Sequence, residues 1–289
     1  MEKWRLIISE PATSGALNMA TDEAIAEAVG RGEAPPTIRF YRWSPPAVSL
    51  GYFQERDREV DQDRLTQLGF DCVRRPTGGR AVLHDDELTY GFIVPESHPA
   101  FPRSVVASYQ IIARGLVRGL RRLGVPAEMA AATSADPRGG SILGSAACFE
   151  APSWYEITAG GKKIAGSAQV RRHGAILQHG SVPLSFSAER QVAALRLRDE
   201  AVRARLVVGL AARAGSLSDF LPAKATFAEV GGALAAGWEE TLEIDAMREE
   251  GLSAPEEKRA LELCRDKYTQ EWWNAHRGVV YGDSHGCLA

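Results

Sequence analysis

Apolar residues recur every three to four positions along two stretches of the chain, which is the spacing of an amphipathic helix. The clearer stretch predicts a helix from about Val105 to Leu123, which the residues at 124–126 end with a glycine and a proline. The other predicts a helix from about Gly15 to Val29, with Ser14 as its N-cap. The apolar stripe of the clearer helix comprises Val105, Tyr109, Ile112, Leu116, Leu120 and Leu123.

Shorter apolar runs, bounded by Gly, Pro and Ser, predict β-strands in the first hundred residues. Between them, Asp61–Leu68 is expected to form a short helix that ends at Gly69. The predicted strands are Lys3–Ser9, Thr37–Trp43, Ala47–Tyr52, Asp71–Arg75 and Glu87–Val94.

Three further strand segments follow a loop at 131–147 that is rich in Ala, Ser and Gly. Gly160-Gly161 and His173-Gly174 supply the turns between them, and such short connections predict an antiparallel meander. The three segments are Trp154–Thr158, Lys163–Arg171 and Ala175–Pro183.

The remainder of the chain, about 188–274, is predicted to be mainly helical. Its last helix is expected at Ala254–Trp273, with Pro255 near the start, and the tail beyond Gly278 is expected to be loose. This mixture predicts an α/β (α+β) fold with mixed, largely antiparallel sheets flanked by helices, and not a doubly wound parallel sheet.

The composition argues against several classes of function. The chain has 289 residues, 45% of them hydrophobic, which is enough for a sizeable core. A net charge of -3 argues against nucleic acid or an anionic membrane as partner. No 18-residue apolar run occurs, and the first residues are expected to form a strand because they lack a signal-peptide pattern. The four cysteines are far apart, which predicts free thiols in a reducing cytoplasm and no zinc site.

A lysine pair stands out because arginine supplies most of the other positive charge. Between Lys3 and Lys224 the chain has only Lys162 and Lys163, within the glycine-rich segment 160–168. A compact ammonium can point at one acyl or phosphate oxygen, whereas guanidinium is a broad planar fork. The alternative is a solvated hairpin tip, for which Gly-Gly-Lys is ordinary turn chemistry.

The densest polar cluster is the segment 74–85, Arg-Arg-Pro-Thr-Gly-Gly-Arg-Ala-Val-Leu-His-Asp. Its Thr-Gly-Gly turn can hold an anion or a carbonyl on backbone N–H groups, although it has neither the Walker ending nor the dinucleotide fingerprint. A turn with solvated arginines is the alternative.

Nucleophiles and bases are less clearly marked. Small residues surround Cys148 and leave room for a second molecule, but most lone cysteines are buried small hydrophobes. His84 and His179 are candidate bases, although a lone histidine is more often structural or solvated.

Together, the segments 74–85 and 161–169 resemble those of the lipoate–protein ligase and octanoyltransferase superfamily. Asn18–Ala24 is similar to the family's first helix, and Trp43–Gly51 with Gln54 to its strand pair. The ending Tyr268–Trp272 resembles the family's last helix, so the resemblance covers about residues 3–274.

This resemblance implies the fold of the biotin and lipoate ligase catalytic domain, here as a single domain over 1–289. It also implies an apolar tunnel for a fatty chain, with the Gly-Gly loop and Lys163 holding the carboxyl end, whereas Lys162 is a surface residue. The implied substrate-binding residues are Arg75, Thr77, Gly78, Gly79, His84, Gly166 and Ser167.

Within the superfamily, ATP-dependent ligases usually carry Arg-x-x-Gly-Gly-Gly, but Arg80 stands where the third glycine would be. Cys148 precedes Lys163 by about 15 residues, as in the cysteine-dependent octanoyltransferase of Gram-positive-type lipoate synthesis. That class moves octanoyl from octanoyl-acyl carrier protein to the H protein of the glycine cleavage system through a cysteine thioester.

The resemblance further implies that Cys148 and Lys163 are catalytic, with no cofactor, ATP or metal, and it favours a monomer. Three alternatives stay open: an ATP-dependent lipoate–protein ligase, an amidotransferase from H protein to other lipoyl domains, and a non-enzymatic carrier-binding or lipoate-sensing protein. Both expected partners are acidic, and Arg74, Arg75, Arg171 and Arg172 are candidates for steering them, or else form a solvated charged face.

Overall fold

The computed structural model describes residues 3–131 and 155–275, and in these ranges eleven strands form two sheets. The strands are β1 (Arg5–Thr13), β2 (Thr37–Trp43), β3 (Ala47–Leu50), β4 (Asp71–Arg74), β5 (Val82–His84), β6 (Glu87–Pro95), β7 (Ala127–Ala131), β8 (Tyr155–Ala159), β9 (Lys162–Arg172), β10 (Ala175–Pro183) and β11 (Arg248–Glu249).

The larger sheet has the order β11-β1-β2-β6-β10-β9-β8-β7, and the smaller one the order β4-β3-β5. Strand β1 runs parallel to β2 and β11, and β3 parallel to β4, while the other pairs are antiparallel. The predicted mixed, largely antiparallel fold is therefore confirmed, including the meander β8-β9-β10.

Nine α-helices in the described ranges flank these sheets. They are α1 (Gly15–Gly30), α2 (Arg56–Glu59), α3 (Gln62–Leu68), α4 (Val105–Arg122), α5 (Ala188–Ala193), α6 (Glu200–Arg213), α7 (Phe227–Leu242), α8 (Ala254–Leu263) and α9 (Glu271–Asn274). The predicted caps of α1 and α3 are confirmed: the Ser14 hydroxyl accepts from Leu17 N–H, and Gly69 ends α3 in the left-handed conformation. No helix in these ranges is long and apolar enough to cross a membrane.

Strand β6 lies near the middle of the large sheet and is buried on both faces. Tyr90 and Phe92 point towards α4 and α7, where Trp238 packs against both rings. Ile93 points the other way, into a cluster with Ile25 of α1. Because side chains alternate along a strand, one strand supplies both cores.

The small sheet packs against α3, α5 and α6 through Leu50, Leu83 and Leu206. Its other face contacts α1, where Ala47 and Val73 join Met19. This packing sets β3 and β5 beside β9 and β10 of the large sheet, and the candidate site lies between them.

The prediction of one continuous helix at Ala254–Trp273 is wrong. Helix α8 ends at Leu263, a π-helical turn follows at Cys264–Tyr268, and α9 comes after it. The Thr269 hydroxyl donates to the Cys264 carbonyl, and this side-chain bond competes with the helical ladder. Strands β5, β7 and β11 were not predicted, and β3 is shorter than expected. The predicted loop at 131–147 and the tail beyond Gly278 fall almost wholly outside the described residues.

Candidate active site

A cavity of about 330 Å³ lies between the two sheets. The loop from Arg75 to Arg80, which joins β4 to β5, forms one wall. Strands β9 and β10 form the opposite wall, and Met19, Tyr41 and Trp43 supply apolar surface. The lining includes seven residues predicted from the sequence: Arg75, Gly78, Gly79, His84, Lys163, Gly166 and Ser167.

The Thr-Gly-Gly loop is held tightly against the end of β3. The Tyr52 amide donates to the Thr77 carbonyl at 2.8 Å. A Cβ on Gly51 would lie 1.9 Å from the Gly79 carbonyl oxygen, so only glycine permits this approach. Gly79 itself has a φ of 97°, which a side chain would strain.

The guanidinium of Arg75 braces the same loop from inside. It donates to the carbonyls of Gly78 and Arg80 and, on the opposite side, to the carbonyl and hydroxyl of Ser49. These contacts use all five of its N–H donors. Arg75, predicted to bind substrate, therefore shapes the loop that faces the cavity.

Thr77 lies behind the loop and begins a buried relay, that is, a chain of side chains joined by hydrogen bonds. Its hydroxyl lies 2.7 Å from Nε2 of His179, whose Nδ1 lies 3.4 Å from a carboxylate oxygen of Asp22. Burial lowers the pKa of His179, although Asp22 opposes this, so the ring is neutral near pH 7. The neutral ring donates from Nδ1 to Asp22 and accepts the Thr77 proton at Nε2.

Asp22 is a fully buried carboxylate on α1, and two further partners come from β2. Arg39 donates to it at 2.7 Å and the Tyr41 hydroxyl at 2.8 Å. Burial raises the pKa of Asp22, but Arg39 and then His179 outweigh burial, so the pKa lies below its usual value. The relay thus ends in an ionised group that is firmly held.

A second relay runs along the other side of the cavity. Nε2 of His84 lies 2.7 Å from the Ser49 hydroxyl, and Nδ1 lies 2.7 Å from a carboxylate oxygen of Glu87. The His84 ring also stacks on Trp43. Ser49, His84 and Trp43 all line the cavity, and Glu87 stands behind them.

Glu87 fixes the state of this second relay. Burial raises its pKa, but the charge and hydrogen bond of His84 and the hydroxyls of Ser181 and Thr89 outweigh burial and lower it. An ionised carboxylate only accepts, so Nδ1 of His84 carries a proton. When the ring carries that proton alone, Nε2 is an acceptor, and it lies beside the Ser49 hydroxyl.

The two lysines at the start of β9 have different surroundings. Lys162 points outward and lies 3.8 Å from Asp219. Lys163 is 6% exposed, lines the cavity and donates to Glu156 of β8 at 3.0 Å. The register between β8 and β9 shifts beside it, since Thr158 faces Lys163 but Ile157 faces Ala165. Such a bulge redirects side chains.

Gly166 and Ser167 continue the cavity wall beyond Lys163. A Cβ on Gly166 would lie 3.6 Å from Cε of Lys163, so the lysine side chain passes over this glycine. The Ser167 hydroxyl accepts from the Tyr90 hydroxyl at 2.8 Å. Opposite Ser167 in the sheet lies Gly180 of β10, which also lines the cavity.

Two of the four arginines proposed to steer partners are placed differently from expectation. Arg74 is fully buried and donates to backbone carbonyls that include those of Trp273 and Asn274, and Arg75 is 5% exposed. Both side chains hold backbone segments in place, so the prediction that they steer acidic partner proteins is wrong. Arg171 is half-buried with a bond to the Pro102 carbonyl, and Arg172 is exposed.

The predicted nucleophile Cys148 lies outside the described residues. Of the cysteines inside them, Cys72 lies in β4, where burial raises the pKa of its thiol to about 12. Burial also raises the pKa of Cys264. Thiolates are the reactive form of cysteine, so neither has the surroundings of a nucleophile.

Several residues of the site were missed in the sequence: Ser49, Glu87, Asp22 and Glu156. A signal existed for Asp22, because it follows Asn18 by one helical turn within Asn18–Ala24, the segment that resembles the family's first helix. For the other three the partner lies on a different strand or across a turn, and spacing along the chain does not reveal it.

Comparison with known proteins agrees with this architecture. The profile of the lipoyl protein ligase A/B catalytic domain matches residues 14–239. The chain belongs to this family. Octanoyltransferase LipM of Kyrpidia tusciae is 46% identical over 274 residues, 95% of this chain and 99% of that protein. Octanoyltransferase LipM of Brevibacillus brevis is 41% identical over 278 residues, 96% of this chain and 100% of that protein.

Solved structures of the family share the fold. A bi-partite lipoate protein ligase of Thermoplasma acidophilum superposes with a TM-score of 0.77 at 29% identity, covering 96% of this chain and 98% of that one. Lipoate-protein ligase A bound with ATP gives 0.76 at 29% identity, covering 96% and 100%. The superfamily and fold expected from the motifs are confirmed.

Proposed function

We propose that this enzyme transfers an octanoyl group from octanoyl-acyl carrier protein to a lysine of the glycine cleavage H protein or another lipoyl domain. The observation that carries the proposal is the cavity itself, where Lys163, the Gly78-Gly79 loop and the His84 relay meet on apolar walls. Near-full-length identity of 40% or more to proteins named octanoyltransferase supports octanoyl as the group that is transferred.

In the first step the thiolate of Cys148 attacks the thioester carbonyl and expels the carrier's pantetheine thiolate, leaving an octanoyl-cysteine thioester. Lys163 and the N–H groups of Gly78 and Gly79 stabilise the oxyanion of the tetrahedral intermediate. Cys148 lies eight positions before Glu156, which contacts Lys163. A chain of that length spans up to roughly 28 Å, so Cys148 has the reach the step requires.

In the second step the uncharged amine of the acceptor lysine attacks the octanoyl-cysteine thioester. An amide bond forms, the carbon–sulfur bond breaks, and the thiolate of Cys148 leaves. When the amine attacks, its nitrogen becomes positively charged and must lose a proton. Nε2 of His84 is the proposed proton acceptor, and the Ser49 hydroxyl passes the proton to it. Glu87 stabilises the imidazolium that results.

The proposed reaction uses neither ATP nor a metal, because a thioester is already activated. Both carrier proteins are expected to be acidic, and the exposed Arg172 with Arg171 is the remaining candidate for steering them. If so, raising the salt concentration lowers the transfer rate.

The test is reconstitution with purified components, followed by mass spectrometry of the acceptor. Octanoyl-acyl carrier protein and an apo H protein, without ATP, should give one octanoyl group per acceptor. Modification only with ATP and free octanoate or lipoate would identify a ligase instead. Modification of another lipoyl domain only from octanoylated H protein would identify an amidotransferase.

A further inference from the structure

Arg80 is a cationic side chain that lines the cavity at the end of the Thr-Gly-Gly loop. Its backbone is held in place, because its carbonyl accepts from Nη2 of Arg75 at 2.8 Å. Within residues 3–131 and 155–275, the Arg80 guanidinium makes no hydrogen bond and no ion pair. Its five N–H donors therefore lie beside the cavity without an acceptor in that part of the chain.

The charged side chains that line the cavity in the described part of the chain are cationic. They are Arg75, Arg80 and Lys163, and none of the described lining residues is an aspartate or a glutamate. Arg75 is engaged with the loop carbonyls and with Ser49, and Lys163 with Glu156. The cavity therefore favours a ligand with a negative charge, and Arg80 has the donors to bind that charge.

Arg80 and Lys163 lie at different depths of the cavity. Lys163, Ser49 and His84 are buried, whereas Gly79 is exposed and Arg80 is half-buried. The exposed end of the loop marks the place where the cavity meets solvent. A ligand whose reacting carbonyl lies at Lys163 therefore leaves the cavity past Arg80.

We infer that Arg80 recognises the acyl donor by binding the phosphate of its pantetheine arm. The inference rests on the proposed function, since it takes octanoyl-acyl carrier protein as the donor. The octanoyl chain, the thioester and the amides of the arm are uncharged, so the phosphodiester that joins the arm to the carrier is the negative charge of this part of the donor. Guanidinium is a planar fork that matches the oxygens of a phosphate group.

The pantetheine arm is long enough to reach Arg80 while its thioester lies at Lys163. About 13 bonds separate the phosphorus of the arm from its sulfur, a span of up to roughly 15 Å at the rise of an extended chain. Free octanoate has no such arm. Its charge is on the acyl carbon itself, which the proposed function places beside the buried Lys163. A phosphorylated arm and a free carboxylate should therefore depend on Arg80 to different degrees.

The experiment measures binding by isothermal titration calorimetry at pH 7.5, with ligands that cannot transfer an acyl group. They are the thioether S-octyl-pantetheine, the same thioether with a 4′-phosphate, and free octanoate. Wild type is compared with Arg80→Gln, which removes the charge, and with Arg80→Lys, which keeps the charge without the fork. The matched control is Arg198→Gln, at an exposed arginine outside the cavity lining, and thermal unfolding checks that each variant is folded.

Wild type and Arg198→Gln should bind the phosphorylated thioether about tenfold more tightly than the unphosphorylated one, and Arg80→Lys should keep part of this preference. In Arg80→Gln the two thioethers should bind within about twofold of each other, because the phosphate has lost its partner. Octanoate affinity should fall by less than about threefold in the same variant.

A wild-type preference below about twofold, or an undiminished preference in folded Arg80→Gln, would overturn the inference. If Arg80→Gln weakens octanoate as much as the phosphorylated thioether, Arg80 binds a carboxylate head group, and its assignment to the arm is wrong. Failure of both thioethers to bind would also overturn the inference. Transfer from octanoyl-acyl carrier protein to H protein, measured separately, then decides whether the proposed function stands.

Discussion

The imidazole of His84 lies flat on the indole of Trp43, with ring centroids 4.0 Å apart and planes inclined by 8°. The indole N–H donates to Thr89, whose hydroxyl in turn donates to Glu87, the carboxylate that also holds His84. This closed ring of contacts leaves the imidazole one orientation. A base fixed in this way is suited to accept a proton from a lysine that enters the cavity.

Replacing Glu87 should change the tautomer of His84. In Glu87→Gln the amide can donate to Nδ1, which favours a proton on Nε2 and removes the acceptor. Transfer to the acceptor lysine should slow by about 100-fold, while the acyl-enzyme forms within a few-fold of the wild-type rate. Rapid-quench single turnovers separate these steps.

The control for this variant is Asp85→Asn, which removes a nearby surface carboxylate paired with Arg190. It should transfer at the wild-type rate. If His84→Ala leaves transfer within a few-fold of wild type, the proton-accepting role of His84 is wrong.

Lys163 should not tolerate arginine. A planar fork cannot replace a point charge that lies over Gly166, and loss of such an oxyanion contact typically costs about 3 kcal/mol, or roughly 100-fold in kcat. The neighbouring change Lys162→Arg, on the outward-facing lysine, should stay within twofold. Steady-state kinetics on both variants checks this, and equal effects of the two changes would refute the distinction.

The close approach of the Thr-Gly-Gly loop to β3 predicts a stability effect. Gly51→Ala places a methyl group 1.9 Å from the Gly79 carbonyl and should lower the free energy of unfolding by about 1–3 kcal/mol. Gly78→Ala adds the same methyl group where no atom lies within 4 Å and should change it by less than about 0.5 kcal/mol. Urea denaturation measures both, and similar values would contradict this description of the loop.

Acid should destabilise the protein through Glu23 of α1. Burial raises its pKa, but His173, Lys267 and Tyr268 outweigh burial and lower the pKa to about 2, from 4.5. A depressed folded-state pKa gives stability that is present above pH 4.5 and is lost as pH falls towards 2. Its size is about 3 kcal/mol.

Urea denaturation at pH 6 and pH 3 should show this loss in wild type. In Glu23→Gln, which cannot titrate at this position, the loss should be smaller by most of that amount. An unchanged pH dependence in the variant would show that Glu23 is not the group responsible.

Long amphipathic segments of this fold are predictable from the chain alone. The stripe from Val105 to Leu123 identifies α4 almost to the residue, because its periodicity extends over five turns. Strand β5 has three residues, too few to show a period, and it was missed. The helix predicted at Ala254–Trp273 breaks because side chains at Thr269 and beyond bond to its last carbonyls, which helical spacing does not reveal.

The candidate site, like the fold, was predicted from the sequence only in part. Motifs locate Lys163, His84 and the Gly-Gly loop, and the structure brings them to one cavity. Their partners Glu87 and Glu156 were not predicted, because each acts through geometry between strands or across a tight turn. Arg74 looked like a surface charge, but its burial depends on the backbone carbonyls of Trp273 and Asn274, which lie far along the chain.

The most direct test of the proposed chemistry is intact-protein mass spectrometry after incubation with octanoyl-acyl carrier protein in the absence of ATP. Wild type and Cys72→Ser should each gain one octanoyl group that hydroxylamine removes, because the thiol of Cys72 is buried with a pKa raised to about 12. Cys148→Ser should gain none. An adduct on Cys148→Ser, or no adduct on wild type, would contradict transfer through an acyl-Cys148 thioester.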